Sequence, residues 1–446
     1  MANTYLTKTF SSGGNQRIWT VSFWVKLNRG TGDDSYILTY ASGSGSTPRG
    51  SMEFRSNANG NNFRLGLNPS GSTWVNCDVD NRKFRDYSAW YHVVVAVDTT
   101  QATASNRVKI YINGEQETVS TQPDQNFDTG FNHTHQTSFG RYENADSSYF
   151  DGVLSHIHFI DGTQYTASSF GSTDSTTGEW KINTNPSVTY GSNGYFILKD
   201  GNSVTDQSGN SNNFTVGGGT LTKTEDNPSN VFPIFNGMYC PKSSTNAGAF
   251  LNGGTTVGGS PSDASSIASM GARSGKYYWE IKVQNATNTR SCGVVRSDSI
   301  ATSHGSGIYP GGNGNATIWT VAYNMVNGYV QKNDNGTQSQ QGSLATLTTG
   351  DILGVALNLT DYEIKWYKNN SLVATTSLSA DWVAYGNFLL PCNRMDGNQF
   401  VQYNFGNGYF GTTAVASAGT NASGIGIFEY DVPTGFTALS TKGLNL

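Results

Sequence analysis

The chain has 446 residues, 53 of them glycine, with 13% charged and 12% aromatic residues and a formal net charge of −5. Few charges combined with many aromatics exclude a disordered chain, and the acidic balance supplies no basic field for nucleic acid or an anionic membrane surface. The length suits two sandwich-sized domains rather than one.

The N-terminal MANTYLTKTFSSGG lacks the apolar stretch of a secretory signal, so no leader is expected. No run reaches the ~18 apolar residues of a membrane helix, so no membrane insertion is expected. The first strand signal is IWTVSFWVKL (Ile18–Leu27), where Trp19, Val21, Phe23 and Val25 alternate with Thr20, Ser22 and Trp24. One face is therefore core, and Trp24 lies on the other. YILTY (Tyr36–Tyr40), SMEFRS (Ser51–Ser56) and FRLGL (Phe63–Leu67) follow, separated by Gly/Asn/Ser turns. WYHVVVAVD (Trp90–Asp98) is almost continuously apolar and predicts a central strand. Next comes RVKIYINGEQETV (Arg107–Val119), in which Val108, Ile110 and Ile112 share a face and Asn113-Gly114 supplies a tight hairpin turn. TSFGRY (Thr137–Tyr142) and FDGVLSHIHFIDG (Phe150–Gly162) precede SSFGSTDSTTGEW, which reads as an irregular loop. GYFILKD (Gly194–Asp200) and NNFTVGG (Asn212–Gly218) read as strands returning to the first sandwich.

LTKTEDNPSNVFPIFN (Leu221–Asn236), with Pro228 and Pro233, reads as a linker. The second half opens on GKYYWEIKV (Gly275–Val283) and continues through IWTVAYN, YVQKND and GDILGVALNL (Gly350–Leu359). EIKWYKNNSLVAT (Glu363–Thr375) then repeats the earlier hairpin with Asn369-Asn370 at its turn, before FLLPC and FVQYNFGN (Phe400–Asn407). In both halves an apolar strand precedes the hairpin, and aromatic-glycine strands follow it. Short strands at regular spacing without 3.6-residue periodicity predict an all-β chain of two tandem jelly-roll β-sandwiches. The expected organisation is residues 1–220, a linker at 221–245, a second sandwich at 246–412 and a C-terminal packing segment at 413–446. Cys77, Cys240, Cys292 and Cys392 match no metal-binding spacing and are expected as free thiols, with Cys292–Cys392 the pairing that remains open.

WYHVVVAVD, KIYINGE and FDGVLSHIHFIDG together resemble the laminin-G/concanavalin-like lectin group, with Tyr91 a departure from that group's adjacent Trp-His. Asp206-Gln-Ser208-Gly209-Asn210 is similar to the same group's D-x-S-G-N turn. The second half resembles a SPRY domain through Gly275–Glu280, Gly350–Gly354 and Asn404-Phe405-Gly406. The combination, with FSSGGNQRIWTVSFWVK and FIDGTQYTASSFG in the first half, is similar to tail-fibre and other appendage proteins of bacteriophages. That resemblance implies a virion structural protein assembled in the host cytoplasm, with other virion proteins and a host-surface glycan or receptor as partners.

Because concanavalin-like folds include glucanases, paired carboxylates are the first chemistry to seek. The glucanase pattern E-x-D-x-x-E is absent; Glu143 and Asp146 have the wrong spacing, and Asp200 and Asp206 flank a turn. No nucleophile elbow or phosphate loop occurs. His133-x-His135 and His156-x-His158 each place two imidazoles on one side of an extended segment, and strand packing accounts for the second pair better than metal binding. Asp200, Asn202, Asp206 and Asn210 are the candidate ligands of a structural calcium, against the commoner role of Asx residues in satisfying their own turns. Trp74, Tyr309, Trp382 and Tyr385 sit in polar, loop-like contexts as candidate sugar platforms, which interface packing would equally produce. The expectation is a non-enzymatic virion appendage protein that binds host glycans; a polysaccharide depolymerase and a capsid-decoration or head-fibre protein are the alternatives. The apolar segment Gly424–Leu446 must pack on its own chain or on a neighbour, and a homotrimer is the expected assembly.

Overall fold

In the strand Ile18–Leu27, Trp19, Val21, Phe23 and Val25 are fully buried between two sheets, as period-two alternation requires. The structure is a computed structural model that describes residues 3–28, 34–43, 45, 48–199, 203–235, 249–258, 264–285, 290–302, 318–395 and 399–446. Asp200, Asn202, Cys240 and Tyr309 lie outside the described residues. The chain divides into two compact units, Met1–Leu221 and Thr222–Leu446. Among the described residues helix is confined to short turns, and none is long and apolar enough to cross a membrane.

In the first unit a seven-stranded sheet runs, in spatial order, Thr215–Gly218, Tyr5–Lys8, Gln136–Phe139, Ser35–Ala41, Arg49–Phe54, Phe63–Asn68 and Val75–Val79. It packs on a six-stranded sheet ordered Tyr195–Ile197, Gly152–Asp161, Ile18–Leu27, Trp90–Asp98, Val108–Ile112 and Glu115–Gln116. Phe23, Val93, Val95, Ile110 and Ile157 fill the space between them with no exposed surface. The segment read as an irregular loop is instead a third layer. Tyr165, Ala167, Phe170, Trp180, Val188 and Tyr190 cover Val94, Ala96, Tyr111 and Ile160 on the outer face of the six-stranded sheet. Gly114 is needed here twice: its φ of 85° closes the Asn113-Gly114 turn, and a Cβ would lie 2.4 Å from the Trp180 ring.

The second unit has the same plan. One sheet is ordered Ala249–Leu251, Thr256–Gly258, Phe400–Asn404, Lys276–Val283, Ile352–Asn358, Glu363–Lys368 and Ser371–Ser377. The facing sheet is ordered Ala264–Ile267, Leu389–Met395, Arg290–Arg296, Trp319–Asn324, Tyr329–Asp334 and Thr337–Gln341. Trp279, Ile281, Leu353, Val355, Ile364 and Trp366 are fully buried in its core. The run Gly152–Asp161, Ile18–Leu27, Trp90–Asp98, Val108–Ile112 in the first unit matches Phe400–Asn404, Lys276–Val283, Ile352–Asn358, Glu363–Lys368 in the second. Both hairpins occupy the same place, and Asn369 and Asn370 both adopt positive φ as Asn113 and Gly114 do. The chain is thus all-β, two concanavalin-like sandwiches in tandem, each built on one strand order.

One expectation is corrected, and one alternative is resolved. Within the segment read as a linker, Phe232, Ile234 and Phe235 are buried, Phe232 and Phe235 in the second core, and Ile234 N–H donates to Ser269 Oγ at 3.2 Å. Pro233 lies between the buried Phe232 and Ile234, so it belongs to a packed lead-in. The C-terminal segment packs on its own chain. Phe428, Phe436 and Leu439 enter the second core, and Thr437–Ala438 pairs parallel with Tyr277–Tyr278. Glu280 fastens this segment: its carboxylate accepts the backbone N–H groups of Glu429 at 2.9 Å and Tyr430 at 2.8 Å. Cys77, Cys292 and Cys392 are buried and form no disulfide. Cys392 pairs in register with Gly293 rather than Cys292, so the two thiols point to opposite faces of their sheet.

Candidate functional site

Opposite the apolar side chains of the seven-stranded sheet, alternation turns a polar set outward. The strand Arg49–Phe54 presents Arg49, Ser51 and Glu53, Phe63–Asn68 presents Arg64 and Gly66, and Val75–Val79 presents Asn76 and Asp78. Register aligns Glu53, Arg64 and Asp78 in one row across three strands, and Ser51, Gly66 and Asn76 in the next. Arg64 holds Asp78 through two parallel bonds of 2.8 and 3.0 Å, and its Nη1 lies 3.8 Å from Glu53. Burial pushes the Glu53 carboxyl up to about 7, with the Ser51 hydroxyl and the Arg64 charge opposing. Beside this row the rings of Tyr36 and Tyr142 stack with centroids 4.6 Å apart.

Trp74 stands over the second row, half-buried. A Cβ on Gly66 would meet its six-membered ring at 2.8 Å, so the glycine lets the indole lie against the sheet. The Arg49 guanidinium sits 5.2 Å from the ring centroid. The result is a partly exposed aromatic surface beside the Arg49 and Arg64 guanidinium groups and the Asp78 carboxylate, while Ser51 and Glu53 are buried. Of these, the sequence reading singled out Trp74 alone. The signal for the others was the outward polar phase of three successive strands.

The outer face of the six-stranded sheet carries a Ser–His contact that looks catalytic and is not. Trp180 Nε1–H donates to His92 Nδ1 at 2.9 Å, which leaves the imidazole proton on Nε2, donated to Ser22 Oγ at 2.8 Å. A general base must accept from the serine, and this tautomer does the reverse. Burial also pushes His92 down to about 3, and Trp24 stacks on it at 4.8 Å. The group is packing for the third layer.

The other sequence-named residues disperse. Trp382 is fully buried: its Nε1–H donates to Asp334 Oδ1 at 2.6 Å and its ring meets Trp319 edge-on, so it is core and not a sugar platform. Its polar neighbours in sequence hid an indole that needs only one partner. Tyr385 is fully exposed. Asp206 is not a free calcium ligand. Its carboxylate accepts from Phe196 N–H (2.8 Å), Ser208 N–H (2.9 Å), Ser208 Oγ–H (2.8 Å) and Asn212 N–H (2.9 Å). Asn210 Nδ2 donates to the Gly191 and Gly194 carbonyls. The D-x-S-G-N turn is a knot tying its loop to the strand Tyr195–Ile197. His133 and His135 stack face to face at 4.1 Å rather than converging on a point, and His158 Nδ1 is bonded to the Tyr190 hydroxyl at 2.9 Å. No cluster of three or more His, Cys, Asp or Glu suited to a metal occurs among the described residues.

For the first unit, residues 3–168 match the profile of the concanavalin A-like lectin/glucanases superfamily, of laminin-G type. None of the curated proteins matches the chain. Among solved structures, mouse laminin α1 domains LG4-5 are 9% identical, with a TM-score of 0.29 over 98% of this chain and 86% of that one. The SPRY domain of human HERC1 is 18% identical, with a TM-score of 0.29 over 38% of this chain and 96% of that one. Carbohydrate-binding module CBM66 from Bacillus subtilis is 10% identical, with a TM-score of 0.25 over 37% of this chain and 90% of that one.

Proposed function

We propose that the protein is a non-enzymatic carbohydrate-binding attachment protein that holds a glycan on the outer face of the seven-stranded sheet. The observation that carries this reading is Trp74, seated on Gly66 beside Arg49. A half-buried indole offers its free surface to the C–H face of a sugar, while the part-exposed Arg64–Asp78 pair offers partners for hydroxyls. The setting is a phage virion appendage, a tail fibre or a capsid-bound fibre, supported by the ordered resemblance of both halves to such proteins. Weak contacts of this kind reach useful strength through several copies, so a homo-oligomer, a trimer in the simplest fibre, belongs to the proposal. Retention of the full-length protein on immobilised host envelope polysaccharide tests it. Trp74→Ala should lose most retention, and unchanged retention refutes the site. Light scattering that finds a monomer at micromolar concentration removes the oligomer.

The alternative, a polysaccharide depolymerase, has one observation in its favour. Glu53 and Asp78 lie in one row with Arg64 between them, and Glu53 keeps its proton near neutral pH as a general acid must. Against it, Glu53 is only 4% exposed and Asp78 is held in the bidentate Arg64 pair. Release of reducing ends from the same polysaccharide, lost in Glu53→Gln, would establish the enzyme instead.

A further inference from the structure

In the second unit, the turn Ala384–Phe388 presents an aromatic ring to water on a backbone fixed from both sides. Trp382 anchors its start through Asp334 and Trp319. Asn387 anchors its end: its Oδ1 accepts from Ser297 Oγ–H at 2.8 Å, and its Nδ2 donates to Asp298 Oδ2 at 3.2 Å and to the Ala384 carbonyl at 3.0 Å. Phe388 closes the turn by exchanging bonds with Ser297, whose N–H donates to the Phe388 carbonyl at 2.9 Å.

Between these anchors Tyr385 adopts φ 57° and ψ 29°, followed by Gly386 at φ 79°. The left-handed region disfavours a Cβ, and Gly or Asn would occupy it more readily. The side chain is fully exposed, so no packing in this chain compensates. Stability therefore does not account for a tyrosine at this position. Beside it, Phe388 is 40% exposed. Arg296 grips Asp298 through bonds of 2.7 and 2.6 Å and donates to the Asp381 carbonyl at 2.9 Å. Two residues beyond Tyr385, Asn387 thus ties the turn to a carboxylate–guanidinium pair whose Asp298 carboxylate is about half exposed.

We propose that Tyr385, with Asp298 and Asn387, forms a second saccharide-binding site, separate from the Trp74 face. One exposed ring is far smaller than the ~800 Å² per partner of a stable protein interface, which argues against a protein occupant. A single sugar ring matches it in size, and the half-exposed Asp298 carboxylate, held by Arg296 and Asn387, supplies a directed acceptor for a hydroxyl. Fixing the turn beforehand lowers the ordering cost of binding.

The test uses the full-length protein on a printed array of bacterial lipopolysaccharides and capsular polysaccharides. Tyr385→Ala should lower the signal at least tenfold on a subset of saccharides, Tyr385→Trp should keep it, and Trp74→Ala should leave that subset unchanged. Wild-type and Tyr385→Ala profiles that coincide, including profiles without any binding, overturn the inference. So does an Ala variant whose only change is a smaller mass in light scattering, which would make the turn a contact between copies. If Trp74→Ala abolishes every signal and Tyr385→Ala none, the Trp74 site stands and this one falls.

Discussion

Glu280→Gln is the most informative perturbation of the fold. The Glu280 carboxylate is fully buried and accepts from four groups: the N–H groups of Glu429 and Tyr430, Asn404 Nδ2 at 3.3 Å and the Tyr278 hydroxyl at 3.2 Å. A glutamine replaces one accepting oxygen by an NH2 that faces donors, leaving at least one backbone N–H unpaired, at a cost of about 1–3 kcal/mol. At pH 5 Glu280 is protonated, but its hydroxyl oxygen can still accept where an NH2 cannot. The second unit should therefore melt a few degrees lower at that pH, at roughly 2–4 °C per kcal/mol for its size. Burial raises the Glu280 pKa from 4.5 to about 7, opposed by the bonds from Glu429 and Tyr430. A carboxyl raised in the folded state stabilises fully below its unfolded pKa, and that contribution is lost as pH rises through 7. The wild type should therefore lose on the order of 3 kcal/mol between pH 4.5 and 7 from this group, and the glutamine variant should lack that slope. Differential scanning calorimetry from pH 4.5 to 8 reads the slope, and hydrogen exchange of the peptide spanning 424–432 reads the tail. Parallel pH profiles for the two proteins, with unchanged protection of that peptide, would refute the role assigned to Glu280.

Trp366→Ala removes a fully buried indole whose Nε1–H bonds Thr376 Oγ1, and should cost about 3–5 kcal/mol by denaturant titration. Because protein donors saturate Asp206, a chelator should leave the melting temperature unchanged, whereas Asp206→Ala should lower stability by roughly 2–4 kcal/mol through the unpaired N–H groups it leaves. Tyr385→Gly should raise stability by about 0.5–1 kcal/mol by relieving the left-handed backbone, a gain in melting temperature accompanied by loss of saccharide signal.

Both cores were legible because alternation was uninterrupted: the phase of Trp19, Phe23, Trp279 and Trp366 reports burial directly. The third layer was not, because Tyr165, Phe170 and Trp180 are spaced irregularly among Gly, Ser and Thr, and only the exposed apolar face beneath them calls for a cover. The lead-in at 222–235 was misread for a related reason. Proline marks a chain that leaves regular pairing, without telling whether its apolar neighbours are packed. Asp206 and Trp382 could not be placed from sequence, since a saturated carboxylate and a metal ligand, or a core and a surface indole, share one local context. The polar row Glu53, Arg64 and Asp78 spans three strands, and only the register between them assembles it.

Hydrogen exchange of the full-length protein with and without host envelope polysaccharide tests the central claim most directly. The account predicts slowed exchange in the peptides covering 49–54, 63–68 and 74–79, abolished in Trp74→Ala. Protection confined to other strands of the first unit, or no protection under conditions where the protein is retained on the polysaccharide, would contradict a glycan site on this sheet face.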